Sequence, residues 1–479
     1  MHADIRHDFL KTIAAPVMAL LLAGKCPTSV YAQPKESSPD GSITVRVTAA
    51  DKRYALAEPV RWQRSSHVAG TNTIVIQPGR RFQPILGFGA ALTDASCYMI
   101  NQMPEAAREE LLRELFDPKQ MGFSVCRICI GSSDYARTLY SFDEGDPDPQ
   151  LERFSIDHDR AYILPVLRRA REINTNLFLF ASPWSPPNWM KDNNSMLGGT
   201  IRAHYLDTYA DYFVKFLQAY LADAVEVNAV SSQNEVDTDQ DSRMPACLFP
   251  QEIEVRYVGE NLGPALERAG LKTKIWLLDH NYNLWGRAIA ELDDPTVNKY
   301  TKSIAWHGYV GQPEWTEKVL AAHPDAEMYW TEGGPHIDDP NYADNWSLWS
   351  SKFTEILRNG MRCIIGWNMA LDENGKPNIG PYKCAGVVTI HSQTNGVTRS
   401  GQYWAFAHYA RAMQRNAVVI GSVGEIPDVQ HVAVVNPDGG YAVVLTNSGK
   451  APTSVQLRDG SSMATVALPA DSVTTLTWK

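Results

Sequence analysis

Length, composition and charge already restrict the classes of protein to which this chain can belong. Its 479 residues exceed the usual size of one hydrophobic core, so we expect a large domain with a smaller companion. Hydrophobic residues make up 44% and charged residues 20% of the chain, which is typical of a folded globular protein and excludes global disorder. The net charge of −10 disfavours a polyanionic partner, because nucleic-acid binding needs clustered Lys and Arg. We therefore expect no nucleic-acid partner.

The first 32 residues follow the order of an export signal. Arg6 and Lys11 precede an apolar run over residues 12–24, and the triplet Val30-Tyr31-Ala32 follows it. This order is typical of a cleaved signal peptide, and the run is shorter than the about 20 residues that span a bilayer. The sequence thus predicts a signal peptide at 1–32 and an exported protein, periplasmic or extracellular.

Six cysteines follow the signal, and they are scattered along the chain. This spacing is typical neither of a disulfide scaffold nor of a metal site, and no P-loop occurs, so we expect no metal and no cofactor. Cys247 and Cys384 both fall in loops predicted on one face of the fold. A disulfide bond between these two residues is therefore a hypothesis for an exported protein.

The central part of the chain alternates β-branched apolar runs with amphipathic helical stretches. This alternation is typical of βα units around a parallel sheet. Eight repeats predict a closed (β/α)8 TIM barrel. The predicted strands are Ile85–Ala90, Phe123–Ile130, Leu177–Ser182, Val225–Ser232, Lys274–Asp279, Ser303–Tyr309, Glu327–Glu332 and Cys363–Met369.

Short runs with alternating apolar and polar residues occur at both ends of the chain. They include Ile43–Val47 and Thr73–Ile76 near the start and Tyr441–Thr446 and Ser472–Trp478 near the end. Both ends are therefore predicted to form one β-sandwich attached to the barrel. The predicted division is a signal peptide at 1–32, linker and sandwich strands at 33–84, the barrel at 85–415 and further sandwich strands at 416–479.

In a barrel of this kind the active site lies at the carboxyl ends of the strands, so the residues there are the candidates for catalysis. The fourth predicted strand runs into Gln233-Asn234-Glu235, and the seventh ends at Thr331-Glu332. Two carboxylates that face one cleft can hydrolyse a glycosidic bond with retention, one attacking the anomeric carbon and the other protonating the leaving oxygen. A single glutamate at a strand end would equally fit a solvated loop carboxylate.

The ordered motifs of the chain resemble glycoside hydrolase family 30, and especially its glucosylceramidase (acid β-glucosidase) branch. The matching residues are Gly87 to Ala95, Arg127 with Gly131 to Tyr135, Ala181 to Lys191, Gln233 to Glu235, His307 with Tyr309, Thr331-Glu332, and Gly366 to Leu371.

The resemblance implies a role for each matching site residue. Glu235 would be the general acid/base and Glu332 the nucleophile. The sugar pocket would be lined by Asp134, Trp184, Asn234 and Trp367, and His307 and Tyr309 would orient the nucleophile.

Elementary chemistry agrees with these roles. Trp184 and Trp367 offer apolar walls for a sugar ring, and such walls raise the pKa of a neighbouring carboxylic acid by desolvation. Glu332 must stay ionised, which donors from Tyr309 and His307 would favour. Arg127 would either contact the substrate or neutralise buried carboxylates near the catalytic pair.

The resemblance implies a retaining β-glycosidase that cleaves β-glucosides and is most like a glucosylceramidase. A β-1,6-glucanase or a β-xylosidase of the same family is the alternative, and a non-catalytic carbohydrate-binding protein is a third. Val236-Asp237 and the stretch Asn378 to His391 depart from the family pattern, which leaves the aglycone open. The expected partner is a β-linked glucoside, either a glycolipid or an oligosaccharide, and a glycolipid would bring transient contact with a membrane surface.

Overall fold

The computed structural model describes residues 41–65 and 70–479. The predicted signal peptide at 1–32 and most of the predicted linker lie outside the described residues. Within the described part, no helix is both long and apolar enough to cross a membrane.

Eight parallel strands form the barrel, each hydrogen-bonded to the next along the chain. The circle closes between its first and second strands, where the Leu92 N–H donates to the Arg127 carbonyl at 2.8 Å and Ser124 N–H to the Phe88 carbonyl at 3.0 Å. The predicted TIM barrel is confirmed. In chain order the barrel strands, called first to eighth below, are Gly87–Ala90, Val125–Ile130, Phe178–Pro183, Ala229–Ser231, Lys274–Asn281, Ser303–His307, Glu327–Glu332 and Met361–Gly366.

Helices surround this barrel, and polar side chains start several of them. The Thr93 hydroxyl accepts the Ser96 N–H at 3.1 Å, and the Ser400 hydroxyl accepts the Tyr403 N–H at 3.0 Å, so each satisfies a free amide of the first helical turn. The helices of six or more residues are Asp94–Gln102, Glu105–Phe116, Ile163–Ile173, Leu206–Ala222, Gln251–Arg256, which continues through a π-helical turn into Gly263–Arg268, Trp285–Asp293, Glu317–Ala322, Trp346–Arg358 and Gly401–Ala410.

The fourth barrel strand is shorter than predicted. Regular pairing covers only Ala229–Ser231, whereas the apolar run predicted a strand over Val225–Ser232. At Asn228, where regular pairing begins, the side-chain oxygen accepts the Leu179 N–H at 2.8 Å in place of a backbone carbonyl. A side chain therefore interrupts the ladder where the apolar pattern continues.

A ten-stranded sheet contains strands from both ends of the chain, as predicted. One apolar core, which includes Ile43, Leu457, Val466 and Leu476, joins strands from distant parts of this sheet, so the sheet folds over as a sandwich. Four of its strands were not predicted: Lys52–Arg61, Gln63–Arg64, Val418–Val423 and Ser462–Leu468. In sheet order the strands are Lys52–Arg61, Ser42–Ala49, Ser472–Trp478, Tyr441–Asn447, Val429–Val435, Val418–Val423, Thr73–Pro84, Thr453–Asp459, Ser462–Leu468 and Gln63–Arg64.

A small third sheet lies beyond the eighth barrel strand. It comprises Ala370–Leu371, Val388–Ile390 and Val397–Arg399. The Val387 N–H donates to the Asn368 carbonyl at 2.8 Å, which ties the loop that carries Tyr382 to the end of the eighth strand.

His408 joins the barrel to the sandwich. It is completely buried on the helix Gly401–Ala410, and its two ring nitrogens lie 2.8 Å from the hydroxyls of Thr48 and Thr475, one in each terminal strand. Burial and the nearby charge of Arg411 lower the pKa of His408 to about 3. The ring is therefore neutral in the folded protein and charged in the unfolded chain below pH 6.5.

We predict that His408 makes the folded protein sensitive to acid. The depressed folded pKa means that its contribution is complete above about pH 6.5 and is lost as the pH falls towards 3. Relative to His408→Asn, which does not titrate, the wild type should lose about 1 kcal/mol of unfolding free energy between pH 6.5 and 5.5. Urea unfolding of both proteins across this range measures the difference, and parallel pH profiles would refute the role of His408.

Candidate active site

The barrel interior changes from apolar to polar towards the carboxyl ends of the strands. An inner apolar floor includes Phe180, Trp276 and Tyr329, with the last two rings stacked at 3.9 Å. Because side chains alternate along a strand, the residue two positions further on faces the interior again. Five such positions hold polar residues. Arg127, Ser182, Ser231, His307 and Thr331 each follow by two residues a member of the apolar floor, namely Val125, Phe180, Ala229, Ala305 and Tyr329.

Arg127 is the fully buried cation at the centre of this polar layer. Its guanidinium donates to Asp279 Oδ2 at 2.6 Å, to Asn234 Oδ1 at 2.7 Å and to Glu332 Oε2. The guanidinium carbon also lies 4.7 Å from the ring centre of Trp184. Arg127 thus neutralises two buried carboxylates, as one of its predicted roles required.

Asp279 is the buried anion opposite Arg127. Besides Arg127, its carboxylate accepts from the hydroxyls of Ser182 at 2.6 Å, Ser231 at 2.8 Å and Thr331 at 2.7 Å. Burial alone raises the pKa of Asp279, but Arg127, His307 and these donors hold it well below its usual value. Asp279 is therefore a permanent negative charge beneath the cleft.

Backbone irregularity brings Asp279 inwards. Leu278 and Asp279 have φ values of 71° and 47°, and the pairing of the fifth and sixth strands shifts register between Ala305 and Trp306. This bulge breaks the alternation of side chains along the strand.

Glu332 ends the seventh strand and receives donors on both oxygens. The Tyr309 hydroxyl donates to Oε1 at 3.0 Å, and Arg127 donates to Oε2. His307 Nε2 lies 3.6 Å from Oε2. These contacts fix the carboxylate and stabilise its negative charge.

Glu235 follows the fourth strand in a left-handed backbone conformation, with φ of 54°. Its N–H donates to the Asp279 carbonyl at 3.0 Å, and Gln240 Nε2 donates to Oε2. Oε1 lies 3.3 Å from His307 Nδ1 and 3.5 Å from His280 Nδ1. The unusual backbone therefore points this carboxylate at two imidazoles.

The pKa of Glu235 differs from the expectation for a general acid. Burial does raise this pKa, as predicted, but the hydrogen bond from His307 and the charges of His280, His307 and Arg127 outweigh burial and lower it. In the free protein Glu235 is accordingly an anion.

His307 bridges the two glutamates rather than serving Glu332 alone. Its Nδ1 faces Glu235 at 3.3 Å, and its Nε2 lies 3.1 Å from Asp279, closer than the 3.6 Å to Glu332. Burial lowers the pKa of His307, but the surrounding carboxylates raise it to about 9. His307 is thus a cation held between three anions.

The predicted sugar-binding residues surround the same cleft. The rings of Trp184 and Trp367 stack at 5.2 Å and 21°. Arg127 occupies Asn234 Oδ1, which leaves the amide N–H groups of Asn234 free to donate to a hydroxyl. Burial, followed by the charges of Glu332 and Glu235, raises the pKa of Asp134 well above its usual value. All eight predicted site residues therefore cluster at the carboxyl ends of the barrel strands.

Several residues of the site were not predicted. Asp279 ends the predicted fifth strand and His280 follows it, but nothing in the sequence marks the bulge that turns Asp279 inwards. Gln240 links two loops, because its Oε1 accepts the Tyr382 hydroxyl at 2.5 Å while its Nε2 reaches Glu235. Cys247 and Cys384 are free thiols in this structure, which contradicts the disulfide bond hypothesised above.

Comparison with known proteins assigns this architecture to a family. The glycosyl hydrolase family 30 TIM-barrel domain matches residues 85–413, and the glycosyl hydrolase family 30 beta sandwich domain matches residues 416–476. The chain belongs to glycosyl hydrolase family 30. The resemblance inferred from the motifs is confirmed, and the protein is a glycoside hydrolase.

Relatives within family 30 carry two different activities in their names. The chain is 32% identical to an endo-1,6-β-D-glucanase of Neurospora crassa, over 83% of this chain and 86% of that protein. It is 27% identical to the lysosomal acid glucosylceramidase of Mus musculus, over 85% of this chain and 83% of that protein. The solved structure of the endo-β1,6-glucanase BT3312 superposes with a TM-score of 0.82 at 29% identity, covering 91% of this chain and all of the other.

We predict that the Arg127–Asp279 pair stabilises the fold of this family 30 protein. Asp279→Asn leaves the buried guanidinium short of one negative charge, so the free energy of unfolding should fall by about 3 to 5 kcal/mol. Urea denaturation measures this loss. The matched control is Asp338→Asn, which breaks the exposed 3.0 Å ion pair with Lys383 and should cost less than about 1 kcal/mol. Equal losses in the two variants would contradict the assignment.

Proposed function

We propose that this protein is a retaining β-glucosidase that hydrolyses β-1,6-linked glucan chains, with Glu332 as nucleophile and Glu235 as general acid/base. The observation that carries the proposal is that opposite nitrogens of one imidazole, His307, lie beside both carboxylates at the mouth of the barrel. Two carboxylates on one cleft are the minimum that double displacement at a sugar requires.

Glu332 is suited to attack the anomeric carbon. Arg127 and Tyr309 hold its two oxygens in fixed positions, so little reorganisation precedes the formation of the glycosyl-enzyme bond. As the bond forms, the leaving oxygen takes a proton from Glu235. In the second step Glu235 takes a proton from water, which attacks the same carbon and releases Glu332.

Glu235 must bind a proton before it can act as the acid. Gln240 suits this change, since its side-chain amide can turn so that Oε1 accepts a hydrogen bond from the neutral acid, as readily as Nε2 donates one to the anion. A bound sugar would also displace water and raise the pKa of Glu235 by further desolvation.

The remaining predicted residues would bind the sugar. Asn234 would donate to the 2-hydroxyl, a contact that strengthens as positive charge develops on the ring. Asp134 would accept sugar hydroxyls, and Trp184 with Trp367 would form the apolar wall.

The loop beside Glu235 supports a carbohydrate aglycone. Residues 237–243, Asp-Thr-Asp-Gln-Asp-Ser-Arg, are all polar, and the loop is joined to Tyr382 through Gln240. Such a rim can hydrogen-bond a second glucose, whereas a lipid chain would leave its polar groups unsatisfied. The endo-1,6-glucanase names of the relatives agree with this choice. We also propose export, as the segment 1–32 predicted, since it would place the enzyme beside polymeric glucan.

Glucosylceramide is the second candidate substrate. Tyr309 and Val310 follow the sixth strand on the catalytic face and are 50% and 52% exposed, which offers apolar surface at the rim. The mouse glucosylceramidase is a relative over most of the chain. This substrate would bring the transient membrane-surface contact predicted above.

A product assay separates the candidate substrates. On β-1,6-glucan and gentio-oligosaccharides we expect kcat/KM at least ten-fold above that on glucosylceramide in detergent micelles, because the polar loop 237–243 stabilises only a sugar aglycone. Nitrophenyl xyloside tests the xylosidase alternative. Faster release of glucose from glucosylceramide, or of xylose from the xyloside, would overturn the proposed specificity. Absence of hydrolysis of all four substrates would overturn the proposal that the protein is a glycosidase.

The acid role of Glu235 predicts a dependence on the leaving group. Glu235→Gln should lose about a hundred-fold or more of kcat/KM on gentio-oligosaccharides but far less on dinitrophenyl glucoside, because an activated leaving group needs little protonation. Glu332→Gln is the matched control and should lose activity on both substrates. Equal losses on the two substrates in Glu235→Gln would count against the role. A fluoro-sugar inactivator should label Glu332, as peptide mass mapping can check.

A further inference from the structure

Three side chains that could ligate a metal converge at the acid/base. Glu235, His280 and His307 come from the ends of the fourth, fifth and sixth strands, and one ligand atom of each lies within 4.8 Å of the other two. Oε1 of Glu235 is 3.3 Å from His307 Nδ1 and 3.5 Å from His280 Nδ1. These residues were not identified as metal ligands from the sequence, because the three come together only in the folded barrel.

The spacing of these atoms matches the edges of a coordination tetrahedron. Ligands about 2.0 to 2.1 Å from a zinc ion in tetrahedral geometry lie about 3.3 to 3.4 Å from one another. The edge from Glu235 to His307 is 3.3 Å and has this length, the edge from Glu235 to His280 is 3.5 Å, and the edge between the two imidazoles lies within 4.8 Å. Two histidines and one glutamate are also a ligand set of zinc enzymes that keep a fourth position open.

Each imidazole is held in place by a carboxylate on its far nitrogen. His280 Nε2 lies 2.5 Å from Asp237 Oδ1, and His307 Nε2 lies 3.1 Å from Asp279 Oδ1. Histidines that bind metals almost always pair their second nitrogen in this way, which orients the ring and raises the basicity of the ligating nitrogen. Both Nδ1 atoms are thereby directed at Glu235.

Other groups around the cluster leave room for this arrangement. Asn281 Nδ2 lies 3.3 Å from His280 Nδ1, and a metal ion that binds the neutral ring would take the place of this contact. The neighbouring cation Arg127 is itself engaged by Asp279, Asn234 and Glu332. A metal ion would take the place of the proton in the hydrogen bond between His307 Nδ1 and Glu235 Oε1.

We propose that Glu235, His280 and His307 form an inhibitory site for a borderline divalent cation such as Zn²⁺, which occupies the acid/base oxygen and stops hydrolysis. Imidazole and carboxylate together suit Zn²⁺ and Cu²⁺, whereas Mg²⁺ and Ca²⁺ prefer oxygen ligands only. The inhibitory effect rests on the proposed role of Glu235, but binding of the ion does not.

Isothermal titration with ZnCl₂ tests binding directly, on protein first dialysed against EDTA. The wild type should bind one Zn²⁺, and His280→Gln should bind it at least ten-fold more weakly. The matched control is His336→Gln, an exposed histidine whose nearest acidic partner, Asp338, is 4.0 Å away, and its affinity should equal that of the wild type. Asp237→Asn keeps all three ligands but removes one supporting carboxylate, so a loss of about ten-fold or more is expected.

Hydrolysis of nitrophenyl glucoside provides the second readout. Zn²⁺ should inhibit the wild type and His336→Gln at the concentrations at which it binds, EDTA should restore the rate, and Mg²⁺ or Ca²⁺ should have no effect. Unchanged zinc affinity in both His280→Gln and Asp237→Asn would overturn the site. Absence of binding to the wild type, or binding that leaves hydrolysis unaffected, would overturn it as well. Zinc binding with the expected variant pattern in a protein that hydrolyses no glucoside would instead refute the proposed function and leave the binding site standing.

Discussion

The burial of one guanidinium governs the architecture of the cleft. Arg127 is completely enclosed, and an unpaired charge in that position would cost several kcal/mol, so carboxylates must lie around it. Asp279 and Glu332 meet this need directly, and His307 extends the alternation of charge to Glu235. Each charged group is thus held by the others. A site whose members compensate one another in this way is rigid without any substrate.

Backbone strain supplies what regular strands cannot. Glu235, Asp279 and Asn368 have φ values of 54°, 47° and 56°, and all three lie at or just beyond the ends of barrel strands. Such conformations are costly for residues other than glycine and persist only where surrounding contacts enforce them. In this protein the enforcing contacts include the hydrogen bond from the Glu235 N–H to the Asp279 carbonyl. This hydrogen bond therefore holds the strained backbones of Glu235 and Asp279 in place together.

Much of the fold and part of the site could be predicted from the sequence. Apolar periodicity located the eight barrel strands, because buried parallel strands need continuous apolar runs, and the strand ends then indicated Glu235 and Glu332. Asp279 could not be found in this way, since a bulge that reverses the side-chain alternation leaves no mark on the pattern. Gln240 and Tyr382 lie far apart in the chain, and only the folded loops bring them together. His307 Nε2 lies closer to Asp279 than to Glu332 by only a few tenths of an ångström, and no residue pattern encodes so small a difference.

The pairing of the terminal strands affects the order of folding. Ser42–Ala49 lies in the sheet between Lys52–Arg61 and Ser472–Trp478, so one edge of this early strand stays open until the last strand has been synthesised. The whole barrel is translated in between, and contacts so distant in sequence form slowly. An open edge can pair with other chains in the meantime. The strand Lys52–Arg61 pairs with the opposite edge from the beginning, so only one edge of the nascent strand Ser42–Ala49 needs protection from aggregation.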